Sequence, residues 1–252
     1  MTTNKTTIGM NRTGIALSPR MGPEMIEAVE LYHPEPNLQG AALKAARGIH
    51  ASSATQLGTM PPPASIKDAG VQAIELLKGS KAAVFLDKLG DRMAFERTGS
   101  RLYEGLIARF QSSPTWEGGP TIEALQRIHA EEVSHYTLLR DTILELGSDP
   151  TVVTPSADVC GTASIGLLQV VNDPRIKMSD ALHAILVAEL VDNDGWALLI
   201  QLAADLGHTE LAQRFTAARA AEDVHLLSVR QWIAAAVSSD AHMSLDEQSP
   251  LQ

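Results

Sequence analysis

A single cysteine, Cys160, stands in 252 residues. It excludes an intramolecular disulfide, a Cys-ligated zinc site and an iron–sulfur or rubredoxin-type centre built within one chain. Aromatic residues make up only 4% of the chain and strand-forming runs are scarce, which leaves little to build a sheet from. Positive charge is also short. Lys and Arg number 20 against 30 Asp and Glu, a formal net charge of −10. Such a surface repels phosphate backbones and speaks against nucleic-acid binding. No apolar run approaches about 18 residues. The start, MTTNKTTIGMNRTG, lacks the apolar stretch of a secretion signal. The expectation is a cytoplasmic protein with no membrane partner.

What the chain does have is material for a core. Hydrophobic residues reach 44% and mean hydropathy is −0.01, enough for one generous domain with an extension. Abundant Ala and Leu favour helices packed on helices. Residues 1–79 read as an N-terminal extension with short helices over Pro23–Tyr32, Leu38–Ile49 and 65–78, and with a Pro-rich loop. From Ser80 the helical period becomes strong, over about 81–111, 121–146, 179–206 and 209–237. SSPTWEGGP separates the first two segments and Leu206-Gly207-His208 the last two. Between the hairpins lies a long connection, 147–178, with one apolar helix at about 156–172. The outline is an all-α four-helix bundle with a long crossover over 80–237, followed by a polar tail, 238–252.

Each long segment carries the same anomaly on its apolar stripe. The first stripe runs Phe85, Leu89, Arg92, Glu96, Gly99, Tyr103, Leu106, Phe110. The second holds Glu132 and His135 between Ile128 and Leu139. The third holds Glu189 and Asp192 between Ile185 and Trp196. The fourth holds Glu222 and His225 between Ala218 and Val229. Buried carboxylates without compensation are very costly, and Arg92 is the one basic residue on these stripes. A pair of divalent cations would supply the missing charge. Glu and His at i and i+3 share one helix face, so each pair can offer an oxygen and a nitrogen to one metal. Glu96 and Glu189 would add terminal or bridging carboxylates. Mixed nitrogen and oxygen ligation suits iron or manganese better than magnesium or calcium.

Chance supplies about 0.5 Glu-x-x-His matches in a chain of this composition, so the spacing alone is weak. A third match, Glu30-Leu31-Tyr32-His33, is read as that chance instance. The other two matter because of order: Glu96, then Glu132 and His135, then Glu189, then Glu222 and His225.

On AFERTGSRLYE, HAEEVSHY, ILVAELVDN and RAAEDVHLL, residues 80–237 resemble the ferritin-like di-iron carboxylate proteins. That resemblance implies a ligand set of Glu96, Glu132, His135, Glu189, Glu222 and His225, with Glu132 and Glu222 bridging. It also implies two bound irons (Fe/Fe, or Mn/Fe) that react with dioxygen or peroxide. Tyr103 resembles the tyrosine beside the ferroxidase centre and is the candidate catalytic side chain. The chain departs from storage ferritins in its long extension and in ending, after the bundle, on SSDAHMSLDEQSPLQ. Val133 stands where bacterioferritins place a haem-ligating Met, and the paired Cys motifs of rubrerythrins are absent. Asp192, three residues after Glu189, resembles the extra carboxylate rubrerythrins carry on that helix.

The leading functional expectation is a ferroxidase or oxidase taking Fe(II) and dioxygen or peroxide. One alternative oxidises a small organic substrate at the same centre, and another holds iron without turnover. A homo-oligomer, with a dimer favoured, is expected from the extension. Asp192 is either a seventh ligand or an outer acceptor. Glu131 and Asp223 either orient the imidazoles or sit on the surface. Arg92 either offsets the carboxylates or extends its charge to water. Trp196 and Trp232 are expected in the core, Tyr136 against the crossover, and His129 and His183 at the surface.

Overall fold

The structure is a computed structural model that describes residues 21–31, 38–54, 80–113 and 115–246. Contacts divide the chain into two units, Met1–Thr55 and Gln56–Gln252. In the first, α1 (Met21–Leu31) and α2 (Leu38–Ser53) match two of the expected short helices. Their described side chains are exposed, Leu31, Leu43 and Ile49 among them. The helix expected at 65–78 lies outside the described residues.

The second unit contains α3 (Ser80–Phe110), α4 (Ile122–Glu145), α5 (Pro155–Asn172), α6 (Met178–Asp205) and α7 (Thr209–Asp246). The all-helical expectation holds, with no strand among the described residues. No described helix is long and apolar enough to cross a membrane. α3 packs against α4 and α6, and α7 packs against the same two, so four long helices close a ring. The crossover helix α5 lies outside that ring, against α3 and α6.

Local chemistry sets the ends. Thr121 and Thr154 cap α4 and α5, each hydroxyl accepting from the backbone N–H three residues on. Pro155 occupies the first position of α5, where a missing N–H costs nothing. α4 and α6 stop at Gly147 and Gly207, whose φ of 73° and 82° allow the left-handed turn. Beyond each, Ser148 N–H bonds Ile143 C=O and His208 N–H bonds Ala203 C=O. α7 passes its expected end at 237 and runs to Asp246. Ser238–Asp246 contains neither Pro nor Gly, and polarity alone does not end a helix.

α3 holds α5 at both ends. Asp87 accepts from the Ser156 N–H at 2.9 Å and from the Ser156 hydroxyl at 2.6 Å. At the other end Arg109 donates to the carbonyls of Val171, Asp173 and Ile176. An acid at the N-terminus and a base at the C-terminus both match the helix dipole. Burial of α3 follows: Leu86, Met93, Phe95 and Leu102, off the stripe read from sequence, are also buried.

The core comes in two apolar clusters. One gathers Leu102, Leu106, Leu125, Ile128, Ile185 and Val229, and the other Phe85, Leu89, Leu139, Ile143, Trp196 and Phe215. On every long helix the ionisable positions fall between the two. Trp196 and Trp232 lie in these clusters as expected, whereas Tyr136 packs into the second rather than against the crossover. The reason is topological, because α5 covers α3 and α6 and leaves α4 alone.

A Cβ on Gly90 of α3 would come 2.5 Å from the Thr154 hydroxyl oxygen that caps α5. Gly90→Val is therefore expected to destabilise by about 1–3 kcal/mol through overpacking. Gly166→Ala, with open space around it in α5, is expected to stabilise by up to about 1 kcal/mol. Urea unfolding followed by circular dichroism separates them, and equal responses would contradict this seating of α5.

Candidate metal centre

Four helices deliver the ionisable residues to one layer. Glu96 comes from α3, Glu132 and His135 from α4, Glu189 and Asp192 from α6, and Glu222 and His225 from α7. All are buried, His135 being the most exposed at 7% and the others at 2% or below. Glu222 sits between the imidazoles: its Oε1 is 2.5 Å from His135 Nδ1 and its Oε2 is 2.9 Å from His225 Nδ1. Glu96 Oε2 lies 3.6 Å from His135 Nδ1, and Glu132 Oε1 lies 3.6 Å from His225 Nδ1. Both histidines thus turn Nδ1 inward.

Three sets of side chains bring potential ligand atoms within 4.8 Å of one another. Glu132, Glu189, Glu222 and His225 form one, and Glu96, His135 and Glu222 a second. Glu96, Glu132, Asp192 and Glu222 form a third, of carboxylates alone. Glu222 belongs to all three. The donors fit a cation: Glu132 Oε2 and Glu189 Oε2 are buried without a hydrogen-bond partner, an arrangement that is costly unless something positive faces them.

Several partners orient the cluster from outside. Glu131 Oε2 is 2.7 Å from His225 Nε2, which fixes the outer nitrogen as donor and frees Nδ1 for the centre. Asp223 is exposed, and of the two candidates only Glu131 reaches an imidazole. Tyr103 is buried, donates its hydroxyl to Glu189 Oε1, and lies edge-on to the His225 ring at 6.5 Å. Asn193 donates to the carbonyls of Glu189 and Glu222 and so ties α6 to α7 beside the cluster. Trp196 packs edge-on to His135 at 5.6 Å. His129 lies 3.4 Å from Glu104 and His183 is exposed, so neither joins the cluster. Glu30 is exposed on α1, and His33 lies outside the described residues.

Arg92 is buried and offsets the carboxylates. Its Nε is 3.0 Å from Glu96 Oε1, and an Nη is 2.9 Å from Asp192 Oδ1. Asp192 is thereby both a partner of Arg92 and a member of the carboxylate set. Two glycines make room. A Cβ on Gly195 would stand 2.0 Å from an Arg92 Nη, and one on Gly99 would stand 2.2 Å from Glu132 Oε2. Sequence reasoning placed Gly99 on the stripe without this role and missed Gly195 and Asn193. The glycines' signal, a small residue opposite a long one on another helix, and the reach of Asn193 to a carbonyl of α7 appear only once the helices are paired.

The electrostatics follow from crowding. Burial and then the charge of Glu222 push the Glu132 carboxyl well above its ordinary range, and the same two causes raise Glu189 to about 8. Burial likewise drives Asp192 well above the usual value, with Arg92 opposing. Glu222 goes the other way: burial would raise it, but hydrogen bonds from His135 and His225 hold it down at about 2. Burial disfavours charge on both imidazoles, yet Glu222 and its neighbours hold each at about 9. Burial and the Glu189 charge place the Tyr103 phenol well above its ordinary value.

No family model, no curated protein and no solved structure matches the chain.

His135, His225 and Glu189 are protonated at pH 7 without a cation and must lose those protons to bind one. Metal affinity should rise with pH up to about 9 and then flatten, with more than one proton released per chain at pH 7. Calorimetry in buffers of different ionisation enthalpy reads that release, and its absence would contradict the proton-filled cluster. Glu131→Ala should lower metal affinity by about 10–100-fold while leaving the helical spectrum unchanged.

Proposed function

We propose that this chain is a ferritin-like, non-haem di-iron protein, a ferroxidase or oxidase that takes Fe(II) and dioxygen or peroxide. The observation that carries this reading is the placement of Glu222 between two inward-facing Nδ1 atoms, each with its own further carboxylates. Glu96 and His135 would hold one ion and Glu189 and His225 the other, with Glu132 and Glu222 shared. The ring of α3, α4, α7 and α6, with a long crossover between its two hairpins, supports the ferritin-like arrangement. Two ferrous ions held there would supply the electrons for reducing dioxygen or peroxide; Mn/Fe loading would use the same donors.

The side chains divide the remaining work. Glu131 keeps a proton of His225 on Nε2, so Nδ1 is the nitrogen that gives up its proton to face a cation. Tyr103 keeps its phenolic proton and holds Glu189 through it, which makes it the redox-capable side chain in contact with the ligand set. Arg92 restrains one oxygen of Glu96, leaving the other for a cation. The two apolar clusters exclude water on either side, which strengthens every charge interaction inside. The chain acts, in this reading, as a homo-oligomer, with a dimer favoured.

A second reading, oxidation of an organic molecule at the same centre, is favoured by one observation. A groove of about 1090 Å³ runs between α3, α5 and α6, and Arg92 is part of its floor.

Anaerobic Fe(II) titration of the apo-protein should saturate at about two ions per chain, and Glu132→Ala and Glu222→Ala should each abolish that stoichiometry. Admission of oxygen should produce a near-ultraviolet ferric band. Continued turnover of excess Fe(II) indicates a ferroxidase, and a single stable oxidised centre indicates the organic-substrate reading. Binding unaffected by either substitution would mean the cluster is structural.

A further inference from the structure

The groove between α3, α5 and α6 has a chemistry distinct from the carboxylate layer behind it. Its walls include Phe95 of α3, Val159 and Leu167 of α5, and Val187 and Val191 of α6. At the rim Val84, Val159, Val187 and Val191 are about half exposed, at 49–53%, so they leave a continuous apolar lining facing water. Its volume of about 1090 Å³ is on the scale of sites that hold small organic ligands.

Positive charge in the walls is already matched. Asp87 receives both polar hydrogens of Ser156. Lys88 donates to the Ser156 hydroxyl at 2.8 Å and stands 3.7 Å from Asp91. Arg92 is matched by Glu96 and Asp192. From Val159 to Asn172, α5 carries no Asp, Glu, Lys, Arg or His. An anionic ligand would find no unmatched cation here and would lose its hydration for nothing.

One polar feature remains at the floor. The Arg92 guanidinium lies over the Phe95 ring at 4.4 Å, and the Nη closest to Gly195 donates to the Asp192 carbonyl at 3.3 Å. That nitrogen carries a second N–H, and both Arg92 and Gly195 line the groove. A neutral oxygen acceptor can take that bond without disturbing the ion pairs to Glu96 and Asp192.

We propose that the α3–α5–α6 groove is a binding site for a neutral, largely aliphatic small molecule carrying one oxygen acceptor, of the alcohol, aldehyde or ester class. Its chain lies against Val159, Leu167, Val187 and Val191, and its oxygen meets Arg92. The bound molecule is then one side chain from the carboxylate layer. The site itself does not depend on the metal reading, whereas oxidation of its occupant would.

The test uses the full-length, metal-free protein and the neutral fluorophore Nile red, displaced by 1-decanol or by decanoate. Saturable fluorescence is expected, with decanol displacing the dye more effectively than decanoate. Ala163→Trp and Val191→Trp, both at exposed groove positions, should weaken binding at least about tenfold. Val237→Trp, at an exposed position of α7 away from the groove, should bind as the parent does. Absence of saturable binding, groove variants that bind like the parent, or stronger displacement by decanoate would each overturn the proposal. Because no metal is present, a failed Fe(II) titration leaves this result standing, and a failed dye titration leaves the metal reading standing.

Discussion

Five carboxylates share one buried layer with a single permanently charged partner, Arg92, and the rest of the molecule is arranged around that constraint. Removing a carboxylate from water costs several kcal/mol even after relaxation, and like charges nearby add to that cost. Without a cation the layer answers with protons. Two imidazoles keep theirs, Glu222 stays ionised between them, and Glu132, Glu189 and Asp192 are driven toward the neutral form. Such a layer is a poor way to stabilise a fold, since well-packed apolar residues of similar volume do as well or better. Its chemistry is the economical explanation for its presence.

Stability has to come from elsewhere, and the two apolar clusters on either side provide it. Leu106, Leu125, Ile128 and Ile185 on one side, and Phe85, Leu89, Leu139 and Trp196 on the other, are almost completely buried. Each long helix therefore crosses apolar, ionisable and apolar zones in turn. Because both ends of each helix are packed, the central side chains cannot swing out to water to relieve their charge. Gly99 and Gly195 belong to the same design: each leaves the volume that a long polar side chain from a neighbouring helix occupies.

Much of this was legible in the sequence because helical period converts position into direction. A Glu between Leu89 and Tyr103 on an apolar stripe must face inward, and three further stripes repeat the feature. The ends of α4, α5 and α6 fall within a residue or two of the periodic segments, with SSPTWEGGP and Leu206-Gly207-His208 as the readable breaks, whereas the Thr121 and Thr154 caps come from the structure. What escaped depended on which helix faces which. Glu131 could orient an imidazole or sit on the surface of α4 until α7 brings His225 Nε2 to 2.7 Å from it. Arg92 could equally have reached water until α6 placed Asp192 opposite it. Leu86, Met93, Phe95 and Leu102 looked surplus to a stripe because period alone shows one buried face, and α5 supplies the second.

That second face connects the fold to a choice between chemistries. A helix ring needs no fifth helix to bury its ionisable layer, yet α3 spends Asp87 and Arg109 on holding α5 along its outer side. The pairing stops short of closing the gap toward α6, and what remains is an apolar groove whose floor is the same arginine that restrains Glu96 and Asp192. Arg92 is thus common to both environments, with its charge turned to the carboxylates and one face of its guanidinium stacked on Phe95. Any molecule that bonds Arg92 from the groove acts on the side chain that positions Glu96, while any cation that binds Glu96 changes the charge Arg92 must balance. Physical contact through one guanidinium, rather than a distant conformational path, is sufficient to couple the two.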